Sequence, residues 1–209
     1  MSDAPAAPPA PVPASRPASR PAARIAFLDA SVLYPATLRN LLMHLAVAGV
    51  FRPRWTDKVQ DEWTTALVRD RPDLDAASIA HRRQLMDDYI LDARVTGFET
   101  LIDGLVLPDV DDRHVLAGAI HGGATVIVTA NLRDFPSATL APHGIEAQHP
   151  DVFVRALIED HAEAVVAAVA EHRAALINPP KSPDEYLAML ERHHMTETIA
   201  ALRSFMEAL

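Results

Sequence analysis

A three-layer α/β fold around a central parallel sheet is predicted by two features of the chain. Short apolar runs, Arg24-Ile25-Ala26-Phe27-Leu28-Asp29 and Thr125-Val126-Ile127-Val128, have the length and character of buried strands. Amphipathic helical segments separate them, the alternation that builds a parallel sheet covered on both faces.

Taken in order, the strand ending at Asp29 is followed by a helix over 37–50, with Leu41, Leu42, Leu45 and Ala48 on one face. Thr56 then has the position and chemistry of an N-cap for a helix from Asp57 to about Arg69. Arg71-Pro72-Asp73 breaks that helix, and another pattern runs from about Asp75 to Leu91. After a loop through Leu105 to Pro108, the acids Asp109, Asp111 and Asp112 open a helix through Ile120, which Gly122-Gly123 ends. The second apolar run follows, and a last strand is expected over 145–148. Beyond Pro150 the chain changes character. An Ala/Val-rich helix over 151–176 stops at Asn178-Pro179-Pro180, Ser182-Pro183 starts a shorter one to about Arg192, and a final helix follows Thr196. The expected organisation is a disordered Ala/Pro-rich tail over 1–23, a catalytic domain over 24–150 and a helical C-terminal extension over 151–209.

Composition narrows the function classes. With 209 residues, 49% of them hydrophobic, the chain can bury one sizeable core. No segment approaches the roughly 20 apolar residues of a membrane span, so a soluble, cytoplasmic protein is expected. The absence of cysteine removes disulfides, thiolate ligands and a cysteine nucleophile, so any metal must sit on oxygen or imidazole. A net charge of −9 opposes a non-specific nucleic-acid coat, which needs a broad basic surface. It is compatible with a site that gathers carboxylates around a divalent cation.

The acids supply such a site. Asp29 ends the first strand, and Asn131 and Asp134 follow the second, all at the sheet edge where open α/β folds bind ligands. An isolated strand-end aspartate is more often a turn or cap. Helical geometry adds two partners. Glu62 falls roughly 85° from the centre of the stripe formed by Val59, Trp63, Ala66 and Leu67, on the border of the buried face, whereas Asp61 falls nearly opposite. Asp112 lies near the centre line of the stripe Val115, Leu116, Ala119 and Ile120, with Asp111 about 110° away. Oxygen ligands of this kind suit Mg²⁺ or Mn²⁺, hard ions that lower the pKa of a bound water and offset charge on a phosphate. The adjacent His193 and His194 point about 100° apart on a helix and make a poor zinc pair. Arg52, Arg54, Arg113 and Arg133 lie near these segments as candidate phosphate contacts.

Four segments in this order and spacing, Phe27-Leu28-Asp29, Asp61-Glu62-Trp63, Asp109 to Ala117 and Ile127 to Pro136, resemble the PIN-domain nucleases, in particular the VapC-type toxins of bacterial toxin–antitoxin pairs. The resemblance covers residues 24–150. It implies a PIN-like α/β/α fold, Mg²⁺- or Mn²⁺-dependent endonucleolytic cleavage of RNA, a cognate antitoxin as partner, and favours a homodimer. Carried over by position, Asp29, Glu62, Asp112 and Asp134 are the catalytic acids, and Asp29, Asp112, Asn131 and Asp134 the metal ligands. Asn131 stands where many members have aspartate, which removes one charge and leaves one firmly held ion. The alternative is a non-catalytic RNA-binding or regulatory scaffold of the same fold. A haloacid-dehalogenase-type phosphatase is disfavoured because Ser31 occupies the place of its second aspartate.

Overall fold

The computed structural model describes residues 24–209, so the Ala/Pro-rich stretch over 1–23 lies outside the described residues. Four parallel strands form the sheet: β1 (Ile25–Leu28), β2 (Arg52–Arg54), β3 (Val126–Val128) and β4 (Glu146–Gln148), in the order β2-β1-β3-β4. The central strands are buried along their whole apolar length, Ala26 to Leu28 and Val126 to Val128, as they must be when helices cover both faces. This is the three-layer α/β/α architecture the alternation predicts.

The helices start where local chemistry starts them. After the single turn α1 (Ala30–Leu33), α2 spans Ala36–Val47 and ends before Gly49, whose φ of 71° few other residues adopt. Thr56 caps α3 (Asp57–Asp70) by accepting from Val59 N at 3.3 Å, and Asp75 caps α4 (Ala76–Tyr89) through Ser78 N at 3.2 Å. Helix α5 covers Arg113–His121, followed by the short α6 (Ser137–Leu140). Its glycine Gly118 permits the close seating of α5 on the sheet: a Cβ there would stand 2.7 Å from Phe27 Cε2.

Two expectations need correction. Strand β2 falls in a stretch assigned to no element, because Arg-Pro-Arg carries no apolar alternation. It forms through backbone pairing with β1, and as an edge strand it tolerates Pro53. The helix expected from Asp109 starts only at Arg113. Asp109 Oδ1 accepts from Asp111 N at 2.9 Å and Asp109 O from Asp112 N, so residues 109–112 form a turn ahead of the helix.

The segment after β4 forms α7 (Pro150–Ala175), with non-helical φ/ψ at His161, then α8 (Pro183–Glu191) and α9 (Thr196–Leu202). Ser182 and Glu185 make a reciprocal capping box at the start of α8. The apolar face of α7, including Phe153, Leu157, Val165 and Val169, is buried in the same core that surrounds the sheet, largely against α2. Phe153 meets Phe51 edge to face at 5.0 Å. The long helix therefore buries its face within the chain itself.

Candidate active site

The sheet places Asp29 and residues 129–131 side by side at the carboxyl ends of β1 and β3, where the chain turns to opposite sides of the sheet. Asp29, 5% exposed, occupies the N-cap of α1 and accepts from Ala30 N at 2.7 Å. Its other oxygen accepts from Ser31 Oγ at 2.6 Å and from Thr129 Oγ1 at 2.8 Å. Those two hydroxyls accept in turn from Ala130 N and Asn131 N, each at 3.0 Å. The cap and the site are thus the same carboxylate. Ser31 and Thr129 were missed as site residues by sequence reasoning, although a hydroxyl two residues past a strand-end acid is a recognisable cue.

Asp112 is held differently. It occupies the N-cap position of α5 and makes no capping bond through its side chain. Its carboxyl pKa is pushed up to about 6, first by burial and then by Asp29, Asp109 and Asp134, with His114 opposing. Three acids thus crowd this carboxyl, against the opposing influence of His114. Glu62, half-buried on α3, places Oε1 2.8 Å from Nε2 of the buried His114. Its neighbour Asp61 is exposed and ion-paired with Arg83, as the angular argument anticipates.

Asp29, Glu62, Asp112 and Asn131 all line one cleft of about 440 Å³. Asp134 is not among its lining residues. It stands half-buried beside Arg133, 3.5 Å away, though its charge is felt by Asp112. Asp111 does line the cleft, contrary to the expectation that it projects sideways, because a turn does not rotate its side chains by the helical 100°. None of Arg52, Arg54, Arg113 and Arg133 lines it. The guanidinium that does is Arg69, with Tyr34 nearby, both bonded to Asp70. A second cleft of similar volume, between α3 and α4, is lined without any carboxylate.

Among the described residues, no group of three or more His, Asp or Glu side chains is close enough to hold a metal ion by itself. The donors at the cleft are carboxylate and amide oxygens. Mg²⁺ suits such a set, since it commonly binds through one or two carboxylates and keeps waters or substrate phosphates in its other positions. The acids that crowd Asp112 supply the electrostatic incentive. The residues therefore fit an open site for a hard divalent ion rather than a closed one.

A model of the PIN domain matches residues 26–133, and one of the VapC50 C-terminal domain matches residues 150–204. The chain is also similar to a Mycobacterium tuberculosis protein named "Putative ribonuclease VapC50", with 43% identity over 79 residues. That match covers 38% of this chain and 47% of the relative, about half its length. No solved structure matches the chain.

Proposed function

This chain belongs to the PIN-domain family, and from that premise we propose that it is a metal-dependent endoribonuclease, the toxin of a toxin–antitoxin pair. One observation carries the reading: a family whose members include VapC-type toxins here keeps an acidic cleft at the sheet's switch point, with the Asp112 carboxyl raised to about 6 by burial and by neighbouring acids. The similarity to a protein named as a ribonuclease supports the choice of RNA.

In this reading Asp29, Asp112 and Asn131 hold Mg²⁺ or Mn²⁺, with Asp134 acting from just outside the cleft. A bound divalent ion supplies a more acidic water and offsets charge on the phosphate. The chain's own residues do the rest. Ser31 and Thr129 fix the orientation of Asp29, so its carboxylate needs no reorganisation when substrate arrives. Glu62, with Oε1 beside His114, offers Oε2 to accept a proton from the attacking water as the phosphodiester bond breaks. The partners of the proposal are an RNA substrate and a small cognate antitoxin, with a homodimer as the working assembly. Cytoplasmic location belongs to the same proposal; no helix among the described residues is long and apolar enough to cross a membrane.

The test is cleavage of RNA by purified protein. Cleavage should require Mg²⁺ or Mn²⁺ and stop on chelation. Cleavage that persists in excess EDTA overturns the metal mechanism, and metal-dependent RNA binding without cutting favours the non-catalytic scaffold.

A further inference from the structure

We infer that His114 is a positioning residue of this cleft, fixing the Glu62 carboxylate from the opposite helix; the inference rests on the nuclease reading above. Nε2 of His114 stands 2.8 Å from Glu62 Oε1, well within donor–acceptor range. The two groups are unequal. His114 is 2% exposed and Glu62 37%, so a ring locked in the interior meets a side chain with torsional freedom.

Packing alone does not account for an imidazole here. Its Nδ1 is buried without a partner among the described residues. An apolar side chain of similar size would fill the space without stranding a polar atom. The ring's polar contact is therefore directed at Glu62, with the N–H on Nε2 and Nδ1 left bare.

The backbone supports the same assignment. His114 follows Asp112 by two residues, so the start of α5 delivers one acid to the cleft and a ring to another. Gly118 lies one turn on, on the same face. A Cβ at that glycine would stand 3.0 Å from Thr56 Cγ2 as well as against Phe27, and Thr56 is the cap of α3. The missing side chain thus lets α5 approach the start of α3 closely enough for His114 to span the gap. Helix α3 is held on its other side by Arg83, which pairs with Asp57 and Asp61. With both helices fixed, the remaining freedom is in the Glu62 side chain, and His114 restrains it.

The test exploits amide geometry, since a glutamine amide reaches the place of Nε2 and an asparagine amide only that of Nδ1. Purified full-length His114→Gln should keep kcat on RNA within about threefold, whereas His114→Asn should lower it about thirtyfold or more with KM little changed. In a Glu62→Gln background, His114→Asn should cause no further loss. Equal kcat for the Gln and Asn variants, or a further loss in that background, overturns the inference. A reading independent of activity comes from ¹⁵N NMR of the histidine rings. Wild type should show a protonated Nε2 and a bare Nδ1 at His114, with Nε2 shifted by Glu62→Gln. A His114 ring unaffected by that substitution overturns the inference even where the Asn variant fails to fold. If the wild type cuts no RNA, the nuclease reading falls, and the NMR result alone decides the His114 contact.

Discussion

Two aspartates at helix N-termini, Asp151 in α7 and Asp112 ahead of α5, show how the same residue type serves opposite ends. Asp151 is 6% exposed, and its carboxylate accepts from Glu197 N at 2.9 Å and Thr198 N at 2.7 Å, the open amides at the start of α9. Thr198 Oγ1 adds a bond to Asp151 O at 3.1 Å. Every part of that carboxylate is committed to joining α7 to α9. Asp112 makes no capping bond, and burial, followed by three other acids, raises its pKa. A buried acid supplied with amide donors stabilises the fold, while one surrounded by acids stores unfavourable charge that a cation can relieve. Asp29 combines both conditions: it has three donors and still lines the cleft.

The comparison breaks most readily at Asp112. Asp112→Asn should cut RNA cleavage by about a thousandfold, about 4 kcal/mol of transition-state stabilisation. The metal-free variant should be no less stable than wild type at neutral pH. Sign follows from the raised pKa: the folded state holds the Asp112 proton more tightly, so this group favours folding at low pH and loses that contribution as pH rises through about 6. Asp111→Asn, at an exposed position, should lose far less activity. Cleavage rates and chemical denaturation of both variants decide the point, and equal rates would erase the distinction drawn between the two acids.

Asp151→Ala should show the reverse profile. Leaving the amides of Glu197 and Thr198 without their acceptor, while the backbone carbonyl still accepts from Thr198 Oγ1, should cost about 2–4 kcal/mol of stability, with cleavage per folded molecule unchanged. A stability loss near zero, measured by urea denaturation, would mean that α9 finds other caps.

His172 sharpens the contrast within the C-terminal helices. It is 1% exposed, has Nδ1 2.9 Å from Tyr186 Oη, and stacks on His44 with ring centroids 5.1 Å apart. Burial, and secondarily His44, lower its pKa to about 4. Its folded pKa lies below its unfolded one, so its contribution to stability is present above pH 6.5 and lost as pH falls towards 4, on the order of 2–3 kcal/mol. His172→Phe should flatten that part of the stability profile, and an unchanged acid limb would overturn this account. The smallest effect is expected at Asp61, whose ion pair with Arg83 is exposed: Asp61→Asn should change stability by about 1 kcal/mol or less and leave cleavage intact. Loss of activity there would reverse the order of Asp61 and Glu62.

Much of this molecule was legible in the chain because its signals are local. Strands β1 and β3 announce themselves as short apolar runs, and Thr56, Asp75 and Ser182 sit at helix starts because a side-chain oxygen satisfies amides only two or three residues away. Asp29 was legible as the acid that ends an apolar run, and Glu62 as the border position of the α3 stripe, whereas Asp112 sits in the turn ahead of α5, outside the helical period by which it was placed. What depended on long-range pairing was not legible. Strand β2 exists because β1 offers it a ladder, and Thr129 binds Asp29 across 100 residues of sequence. The exclusion of Asp134 from the cleft lining, the inclusion of Asp111, and the approach of His114 to Glu62 are set by how turns and helices seat on one another. Sequence period fixes the direction of a side chain about its own axis. Only packing fixes where that axis lies, and therefore which side chains meet.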